Sequence, residues 1–464
     1  MTRRAQSSLV PLLLVVGLLL GPMLSGCATM GTTDASSGKA KNVILLVGDG
    51  FGPSHFWATS LYSTRIFQKD LRMVEVMKAG RTAYLVNDTA DAIVTESAAA
   101  AGQIATGKKM TARAISMAAD GQTPVQTILE IVKAKGLATG LVTTSGITDA
   151  TPGAFAAHVA HRSDETAVAD QELKMGVDVL MGGRKQFFLP EVSAGKRKDD
   201  RNLLDEAEAA GYTVVGDAEE LKAATGPKIL GLFNMGNMVY EIDRRNTQEP
   251  SLAEMTGKTL EVLSRNPKGF FAMIEGGRID HAAHRNDAAG VIHDTLAFDA
   301  AVGVALDFAR KNPDTLLIVT ADHETGGMAL IGHSKTSKEY IGMDLAAIQK
   351  VTASFEVIAD ELGKNPTPQK IQKVVKDYMD IQITDDEAKT VANDTIRKLD
   401  PANYSYPYLH SLAFVLRPYL RVGWGSQTHT ASPLYAFSVG PGSEKLTGLL
   451  HNTQVFDIMK TAME

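Results

Sequence analysis

The sequence is poor in cysteine, carries no excess of positive charge and has no apolar run long enough to favour a membrane-spanning helix. Cys27 is the only cysteine among 464 residues, so an internal disulfide cannot form and stability must come from the core and from bound ligands. Asp and Glu (53) outnumber Lys and Arg (47), and the basic residues are scattered, which argues against nucleic-acid binding. The chain is nevertheless long enough to bury a large core.

The N-terminus has the pattern of an export leader. A short basic start precedes the apolar stretch Leu9–Leu20, which at about a dozen residues is too short to favour a spanning helix. The segment Leu24-Ser-Gly-Cys27 then resembles a bacterial lipobox, although a plain secretory leader with a chance cysteine is the alternative. We predict a lipoprotein signal peptide at residues 1–27 and a flexible tether at residues 28–40. The protein would then be periplasmic or at the cell surface, held to a bacterial membrane by a lipid on Cys27.

Strand and helix patterns alternate over most of the remaining chain. Apolar strand runs and helical patterns follow one another from Val43 to about Ile331, which indicates βαβ units and a parallel sheet. We predict an α/β fold, a three-layer sandwich with a large, mostly parallel central sheet flanked by helices. Residues 331–428 break the alternation with helical charge patterns, so we expect one domain over residues 41–464 with a helical insertion there.

Four of the strand patterns end in acids, threonines or histidines. They run from Asn42 to Asp49, from Thr139 to Thr151, from Phe270 to His284 and from Leu316 to His323. Ligands of open α/β sheets bind beyond the carboxyl ends of the strands, so these side chains should share one rim. Hard oxygen ligands combined with imidazoles indicate a metal site.

Two pairs of residues are candidate metal ligands. Asp280 and His284 are four residues apart and share one face if a helix follows the preceding glycines, but a solvated pair on an exposed turn is the alternative. Asp322 and His323 are adjacent and would point to opposite faces of a regular strand. Both reach one metal only if the chain turns there; otherwise Asp322 is a cap and His323 packs in the core.

Three further residues are candidates for a functional role, although the sequence motif around each is weak. Asp49 lies between two glycines, which permit close approach to a ligand, although Asp-Gly is also a common turn. Ser97 precedes an alanine-rich helix whose first N–H groups favour an anion, and a bound Zn²⁺ would promote loss of its proton; the alternative is a simple helix cap. Arg162, in what looks like a helix, could clamp two phosphate oxygens or could be an ordinary surface arginine.

Taken together, these segments resemble the alkaline phosphatase family, from about Asn42 to the C-terminus apart from the insertion. Several motifs agree in order and local spacing. They are Asp49 after the first strand, Ser97 with Ala98 and Thr106-Gly107, Asp149-x-Thr151-Pro152, Arg162, the segment from Glu275 to His284, the segment from Thr320 to Glu324, and His429-Thr430-Ala431.

The resemblance implies a site for two Zn²⁺ and one Mg²⁺. The implied ligand sets are Asp280, His284 and His429 for the first zinc, Asp49, Asp322, His323 and the Ser97 oxygen for the second, and Asp49, Thr151 and Glu275 for magnesium, with Asp149 in its water shell. The imidazole ligands belong to the two zinc sites, and the magnesium site has only oxygen ligands, which is what each ion prefers.

The implied function is hydrolysis of small phosphate monoesters through a phosphoserine at Ser97, with Arg162 binding phosphate. One alternative is a phosphodiesterase of the same superfamily, whose members often use threonine as nucleophile and lack Thr151 and Glu275. Another is a non-catalytic lipoprotein that binds metal or phosphate. We expect no nucleic-acid partner and membrane contact only through Cys27; a homodimer is an option by analogy alone.

The chain departs from the family at three places. Glu96 stands where an aspartate usually precedes the nucleophile, and the extra methylene is expected to shift Arg162 and weaken phosphate binding. His281 stands where the enteric bacterial form has lysine. The long insertion makes His410 and His451 alternatives to His429 as the last zinc ligand.

Overall fold

The described strands form one ten-stranded sheet and three two-stranded sheets. The structure, a computed structural model, describes residues 38–336, 338–396 and 406–464. In chain order the strands are β1 (Asn42–Gly48), β2 (Arg81–Val86), β3 (Ala138–Gly146), β4 (Val179–Gly183), β5 (Thr213–Val215), β6 (Ile229–Leu232), β7 (Phe270–Gly276), β8 (Thr315–Ala321), β9 (Glu324–Thr325), β10 (Ala329–Leu330), β11 (His333–Thr336), β12 (Glu339–Ile341), β13 (Val422–Gly423), β14 (His429–Thr430), β15 (Leu434–Val439) and β16 (Gly448–His451).

The large sheet is mostly parallel. Its strands lie in the order β16-β2-β15-β8-β1-β7-β3-β4-β6-β5, and only β15 runs antiparallel to its neighbours β2 and β8. Every residue of β1, β7 and β8 is buried, because helices cover both faces of these apolar strands. The predicted α/β sandwich with a large, mostly parallel sheet is confirmed.

Helices fill most of the connections between the strands. In chain order the helices of the described residues are α1 (Pro53–Tyr62), α2 (Arg72–Ala79), α3 (Ser97–Thr106), α4 (Ile128–Ala134), α5 (Ala150–Ala156), α6 (Glu165–Met175), α7 (Leu203–Ala209), α8 (Ala218–Ala223), α9 (Glu241–Arg244), α10 (Leu252–Leu263), α11 (Arg278–His284), α12 (Ala288–Lys311), α13 (Leu345–Gln349), α14 (Phe355–Leu362), α15 (Pro368–Met379), α16 (Asp385–Ala392), α17 (Leu409–Leu420) and α18 (Thr453–Ala462).

The longest helix is a core element. In the described residues, α12 is the one helix whose length and apolar character would allow a membrane crossing, but 72% of its apolar window is buried inside the protein. It packs against α10, α11 and the strands β1, β7 and β8, so its apolar surface belongs to the fold.

The described part of residues 331–428 contains the β11–β12 hairpin and helices α13 to α17. The start of α14 docks on the core: the Ser354 N–H donates to Asp243 Oδ1 (3.1 Å), and the Phe355 N–H donates to Asp287 Oδ2 (2.7 Å). This docking places α14 beside α11, the helix that follows β7. The predicted signal peptide and most of the tether fall at residues 1–37, outside the described residues, and these domain boundaries stay predictions.

Candidate metal centre and active site

The sheet register brings the polar strand ends to one level. Gly48, the last residue of β1, pairs with Ala321 of β8 on one side and Gly276 of β7 on the other. Asp49 and Asp322 follow these ends directly. Gly50 adopts a left-handed conformation (φ 66°), and a Cβ there would lie only 2.8 Å from the Asp280 backbone. A glycine is therefore required for β1 to end so close to α11.

The first ligand cluster is formed by Asp280, His284 and His429. Asp280 and His284 lie one turn apart on α11, and His284 Nε2 is 3.2 Å from Asp280 Oδ2. His429 comes from β14, which pairs antiparallel with β9 and so reaches the same place from 145 residues further along the chain. Its Nε2 lies 3.1 Å from His284 Nε2 and 3.7 Å from Asp280 Oδ1.

The hydrogen bonds of the two imidazoles fix which nitrogen is available. His284 Nδ1 lies 2.6 Å from the Gln427 carbonyl, and His429 Nδ1 lies 2.9 Å from the Thr95 carbonyl. A carbonyl only accepts, so Nδ1 of each ring carries a proton and Nε2 is the nitrogen that faces the cluster. The two Nε2 atoms lie 3.1 Å apart. The same spacing suits two nitrogens bound to one tetrahedral ion, which lie roughly 3.3 Å apart.

Asp49, Asp322 and His323 form the second cluster. His323 Nε2 lies 3.4 Å from Asp49 Oδ1 and 3.3 Å from Asp322 Oδ2. The chain leaves extended geometry after β8, where the His323 N–H donates to Asp322 Oδ1 (2.8 Å), so both side chains reach one point. Asp49 Oδ1 and Asp322 Oδ2 are buried without any hydrogen-bond partner. Unpartnered carboxylate oxygens around an imidazole fit a divalent cation, which would satisfy all three.

Thr325, which the sequence analysis did not identify, joins the two clusters. Its hydroxyl donates to Asp280 Oδ1 (2.5 Å) and lies 3.2 Å from His323 Nδ1. Since the hydroxyl proton points to Asp280, the Thr325 oxygen accepts from the ring and leaves His323 Nε2 as the candidate ligand atom. A threonine two residues beyond a candidate ligand histidine has no distinctive sequence pattern.

The residues predicted for magnesium lie near Asp49 but form a looser set. Glu275, the penultimate residue of β7, pairs with Thr143 of β3, and its Oε2 is buried without a hydrogen-bond partner, as is the Thr151 hydroxyl at the start of α5. The Asp149 carboxylate, by contrast, already accepts bonds on both oxygens. Thr151 and Glu275 therefore have oxygens without hydrogen-bond partners, whereas the oxygens of Asp149 are already engaged by Ser145, Ala150 and Arg162.

Burial gives the acids and imidazoles of the rim unusual proton affinities. Burial raises the pKa of Glu275 to about 8. Burial also raises the pKa of Asp322 to about 7, and nearby Asp280 adds to the effect. Burial lowers the pKa of His323 and of His429, so both rings stay neutral. Acids that resist ionisation and neutral imidazoles together favour cation binding, because a cation stabilises the carboxylates and accepts the nitrogen lone pairs.

Ser97 faces the second cluster from the start of α3. It is buried, and its Oγ lies 3.2 Å from His323 Nε2. The helix cap is Glu96, whose carboxylate accepts from the N–H groups of Ala98 (3.1 Å) and Ala99 (2.9 Å). The interpretation of Ser97 as a simple cap is therefore wrong. Glu96 also occupies helix-start donors that we expected to serve a bound anion.

Arg162 reaches the site from a loop, not from a helix. The expected helix ends at Ala156, and Arg162 lies between α5 and α6 because a β-bridge at Val159 turns the chain. Its Nη1 donates to Glu96 Oε2 (2.7 Å) and its Nη2 to Asp149 Oδ1 (2.8 Å). The longer Glu96 side chain thus reaches the arginine while it caps α3, so the extra methylene does not break this contact.

Further arginines surround a cavity of about 400 Å³ that both clusters line. Arg184 contacts Asp149 Oδ2 (3.0 Å) and Glu165 Oε2 (2.8 Å). Arg278 and Arg285 of the α11 region both bind Glu356 of α14, at 3.0 and 2.7 Å. Arg278 and Arg285 are seven residues apart, a spacing that predicts a shared helix face, but no sequence pattern predicts their partner. Residues 331–428 therefore contribute one wall of the cavity.

The structure also gives the positions of the other histidines considered in the sequence analysis, which are His281, His410 and His451. His281 lines the cavity, and its Nδ1 lies 3.0 Å from Arg278 Nη1. His410 contacts Asn286 (2.6 Å), and His451 contacts Asp88, so neither belongs to the two ligand clusters. In the described chain, His429 is the histidine that completes the first cluster.

Comparisons with known proteins agree with this geometry. The alkaline phosphatase family profile matches residues 40–464. Alkaline phosphatase 4 of Bacillus subtilis is 32% identical over 473 residues, covering 98% of this chain and 97% of its own. The Escherichia coli alkaline phosphatase is 36% identical over 349 residues, covering 65% and 74% respectively. The crystal structure of Thermus thermophilus alkaline phosphatase is similar with a TM-score of 0.84 at 30% identity, covering 96% of this chain and 95% of that one. This chain belongs to the alkaline phosphatase family.

Proposed function

We propose that the protein hydrolyses small phosphate monoesters through a phosphoserine formed at Ser97. Family membership and fold support phosphomonoester hydrolysis. The observation that supports the serine route is the position of Ser97 Oγ, 3.2 Å from His323 Nε2 in a cavity lined by both ligand clusters.

The metal ions are proposed from the donor sets. Asp280, His284 and His429 would hold one Zn²⁺, and Asp49, Asp322 and His323 would hold a second. The proposed Mg²⁺ ligands are Asp49, Thr151 and Glu275, with Asp149 acting through water. When bound, such cations stabilise charge on the attacking and leaving oxygens of an in-line displacement.

Side chains of the protein then take part in the two displacement steps. Ser97 Oγ attacks phosphorus, and the bond to the leaving-group oxygen breaks on the opposite side. Arg162 is pre-oriented by Glu96 and Asp149, and it keeps further N–H donors for two non-bridging phosphate oxygens. Water then attacks the phosphoserine, releases inorganic phosphate and restores the hydroxyl.

Trapping the covalent intermediate tests the serine route. The enzyme is incubated with radiolabelled inorganic phosphate, quenched in acid and digested. We expect label on the peptide that contains Ser97, no label in Ser97→Ala, and full labelling in the control Ser264→Ala, which changes an exposed serine. Turnover of a phosphate ester by wild type without any label would contradict the phosphoserine.

A comparison of substrates separates the monoesterase from the diesterase alternative. The buried, unpartnered Thr151 and Glu275 beside Asp49 support the monoesterase, because they provide the third ligand set. We expect kcat/KM for an aryl phosphate to exceed that for the matching diester at least about a hundredfold. Equal rates, or faster cleavage of the diester, would overturn the monoesterase assignment.

We also propose that the protein is exported and lipid-anchored. The support is the sequence alone, since residues 1–37 lie outside the described part of the chain. Metabolic labelling with a radioactive fatty acid should mark the wild type and not Cys27→Ser, and the variant should appear in the soluble extracytoplasmic fraction. An unlabelled, soluble wild type would refute the anchor.

A further inference from the structure

The arginines that line the catalytic cavity differ in their pairing. Arg162, Arg184, Arg278 and Arg285 each contact at least one carboxylate at 3.0 Å or less. Arg113 also lines the cavity, yet within residues 38–336, 338–396 and 406–464 no carboxylate lies at ion-pair distance from its guanidinium. Arg113 is exposed, so its charge is available to a ligand that enters the cavity.

The backbone of Arg113 is fixed beside the phosphate clamp. Its N–H donates to Glu96 Oε1 (2.8 Å), and its carbonyl accepts from the Arg162 N–H (2.8 Å). Glu96 in turn binds the Arg162 side chain. Arg113 is therefore held by the same two residues that prepare the cavity for a phosphate group.

Arg113 is also conformationally strained. Its φ is 72°, in the left-handed region that costs an L-residue energy and that glycine adopts without strain. Two backbone hydrogen bonds hold Arg113 in this conformation, and neither involves its side chain. A strained residue that presents an unpaired charge to a catalytic cavity indicates a role in ligand recognition.

The charge that Arg113 would meet is not the reacting phosphate alone. Arg162 already offers donors to that group, and Arg162 is neutralised in part by Glu96 and Asp149. We propose that Arg113 recognises a second anionic group, a carboxylate or a further phosphate, on the leaving group of the substrate. This inference rests on the proposed function, and it assigns the substrate class: monoesters of anionic alcohols.

Two matched substrate pairs test the proposal. 3-Phosphoglycerate and glycerol 3-phosphate differ only in a carboxylate against a hydroxymethyl group. Glycerol 1,3-bisphosphate carries a phosphate in place of a hydroxyl of glycerol 3-phosphate. The measured quantity is the ratio of kcat/KM for each anionic substrate to that for glycerol 3-phosphate, on the metal-loaded enzyme. The two ratios show whether carboxylate, phosphate or both are recognised.

Four variants make the test specific. Arg113→Asn removes the charge with a residue that tolerates left-handed backbone, Arg113→Gly removes it with no strain, and Arg113→Lys keeps a charge. Arg245→Asn is the matched control, because Arg245 is exposed but does not line the cavity. Thermal melts establish that each variant is folded.

We expect at least one ratio to fall about fivefold in Arg113→Asn and Arg113→Gly, as loss of an exposed charge pair predicts. Arg113→Lys should retain most of the ratio and Arg245→Asn all of it. Raising ionic strength should lower the wild-type ratio and leave that of Arg113→Asn nearly constant. Ratios unchanged in both charge-removing variants would overturn the role of Arg113. Failure of wild type to hydrolyse any of the three esters would instead contradict the proposed function.

Discussion

Buried carboxylates without hydrogen-bond partners occur in two regions of this protein, and the two regions differ in their surroundings. At the sheet rim, oxygens of Asp49, Glu275 and Asp322 lack partners; in α6, both oxygens of Glu172 do. Burial raises the pKa of Asp49 and of Glu172 well above their usual ranges. At the rim, acids from adjacent strands converge with imidazole lone pairs, whereas Glu172 lies in an apolar face of α6. An unpartnered acid therefore indicates a cation site only where further ligands converge with it.

The largest effect should come from Ser97, the proposed nucleophile at the rim. Ser97→Ala is expected to lower kcat by roughly 10⁴-fold or more, since removing a nucleophile leaves only binding and electrostatic stabilisation. Metal content, measured by elemental analysis, should stay within error of wild type. A variant that keeps turnover would show that the rim cluster works without this serine.

The next largest effect should be the fall in Tm on chelation, which depends on the acids of the sheet rim and not on Glu172. Cations that bind only the folded state stabilise it by about 4 kcal/mol per site at a thousand times Kd, so their removal should lower Tm by roughly 5 °C or more. The same drop is expected in Glu172→Met, because that acid binds no cation. An unchanged Tm after exhaustive chelation would mean that the rim acids are not gathered around metal.

Glu172, the buried acid of α6, should destabilise the folded protein. Glu172→Met replaces an unpartnered buried carboxylate with an apolar side chain of similar length, and we expect a gain of about 1–3 kcal/mol near neutral pH. The folded pKa of Glu172 is raised, so wild-type stability is highest below the unfolded pKa and declines as pH rises towards the folded pKa. The difference in Tm between variant and wild type should therefore grow from pH 4.5 upward.

The matched control for that stability test is Glu208→Met, which changes an exposed glutamate of α7. Its free energy of unfolding should stay within about 0.5 kcal/mol of the wild-type value at every pH. A loss of stability in Glu172→Met that is absent from the control would show that Glu172 has a compensating partner.

The smallest effect should come from a third kind of acid, a partly buried one whose carboxylate has several hydrogen-bond partners. Glu96 binds the N–H groups of Ala98, Ala99 and Arg113 as well as the Arg162 side chain. Glu96→Asp is one methylene shorter and cannot reach all of them, so kcat/KM should fall about tenfold, mainly through KM. Steady-state kinetics would measure kcat and KM, and competitive inhibition by inorganic phosphate would measure the phosphate affinity. An unchanged phosphate affinity in Glu96→Asp would mean that Arg162 is held by Asp149 alone.

Strands and local motifs explain why much of this architecture could be predicted. The runs ending at Asp49, Glu275 and Asp322 are mostly apolar and wholly buried, and parallel strands of that kind end at one edge. Asp280 and His284 share a helix face by spacing alone. These patterns are local, and tertiary packing reinforces them.

The unpredicted features depend on contacts between distant segments or on backbone angles. Glu356 lies 78 positions from Arg278 in sequence and meets it only because the start of α14 docks on Asp287, the cap of α12. The prediction that Arg162 lies in a helix was wrong, because a β-bridge overrides the local helical preference. The left-handed backbone of Arg113 leaves no trace in composition, since arginine there is not the residue that such a conformation favours.

The pairing of β14 with β9 has a consequence for biosynthesis. His429 enters the first cluster through this two-residue ladder, and it leaves the ribosome 145 residues after His284. A nascent or C-terminally truncated chain can present Asp280 and His284 but never the complete triad. Loading with the ion should therefore follow closure of the whole polypeptide, which protects partly made chains from premature, misplaced metallation.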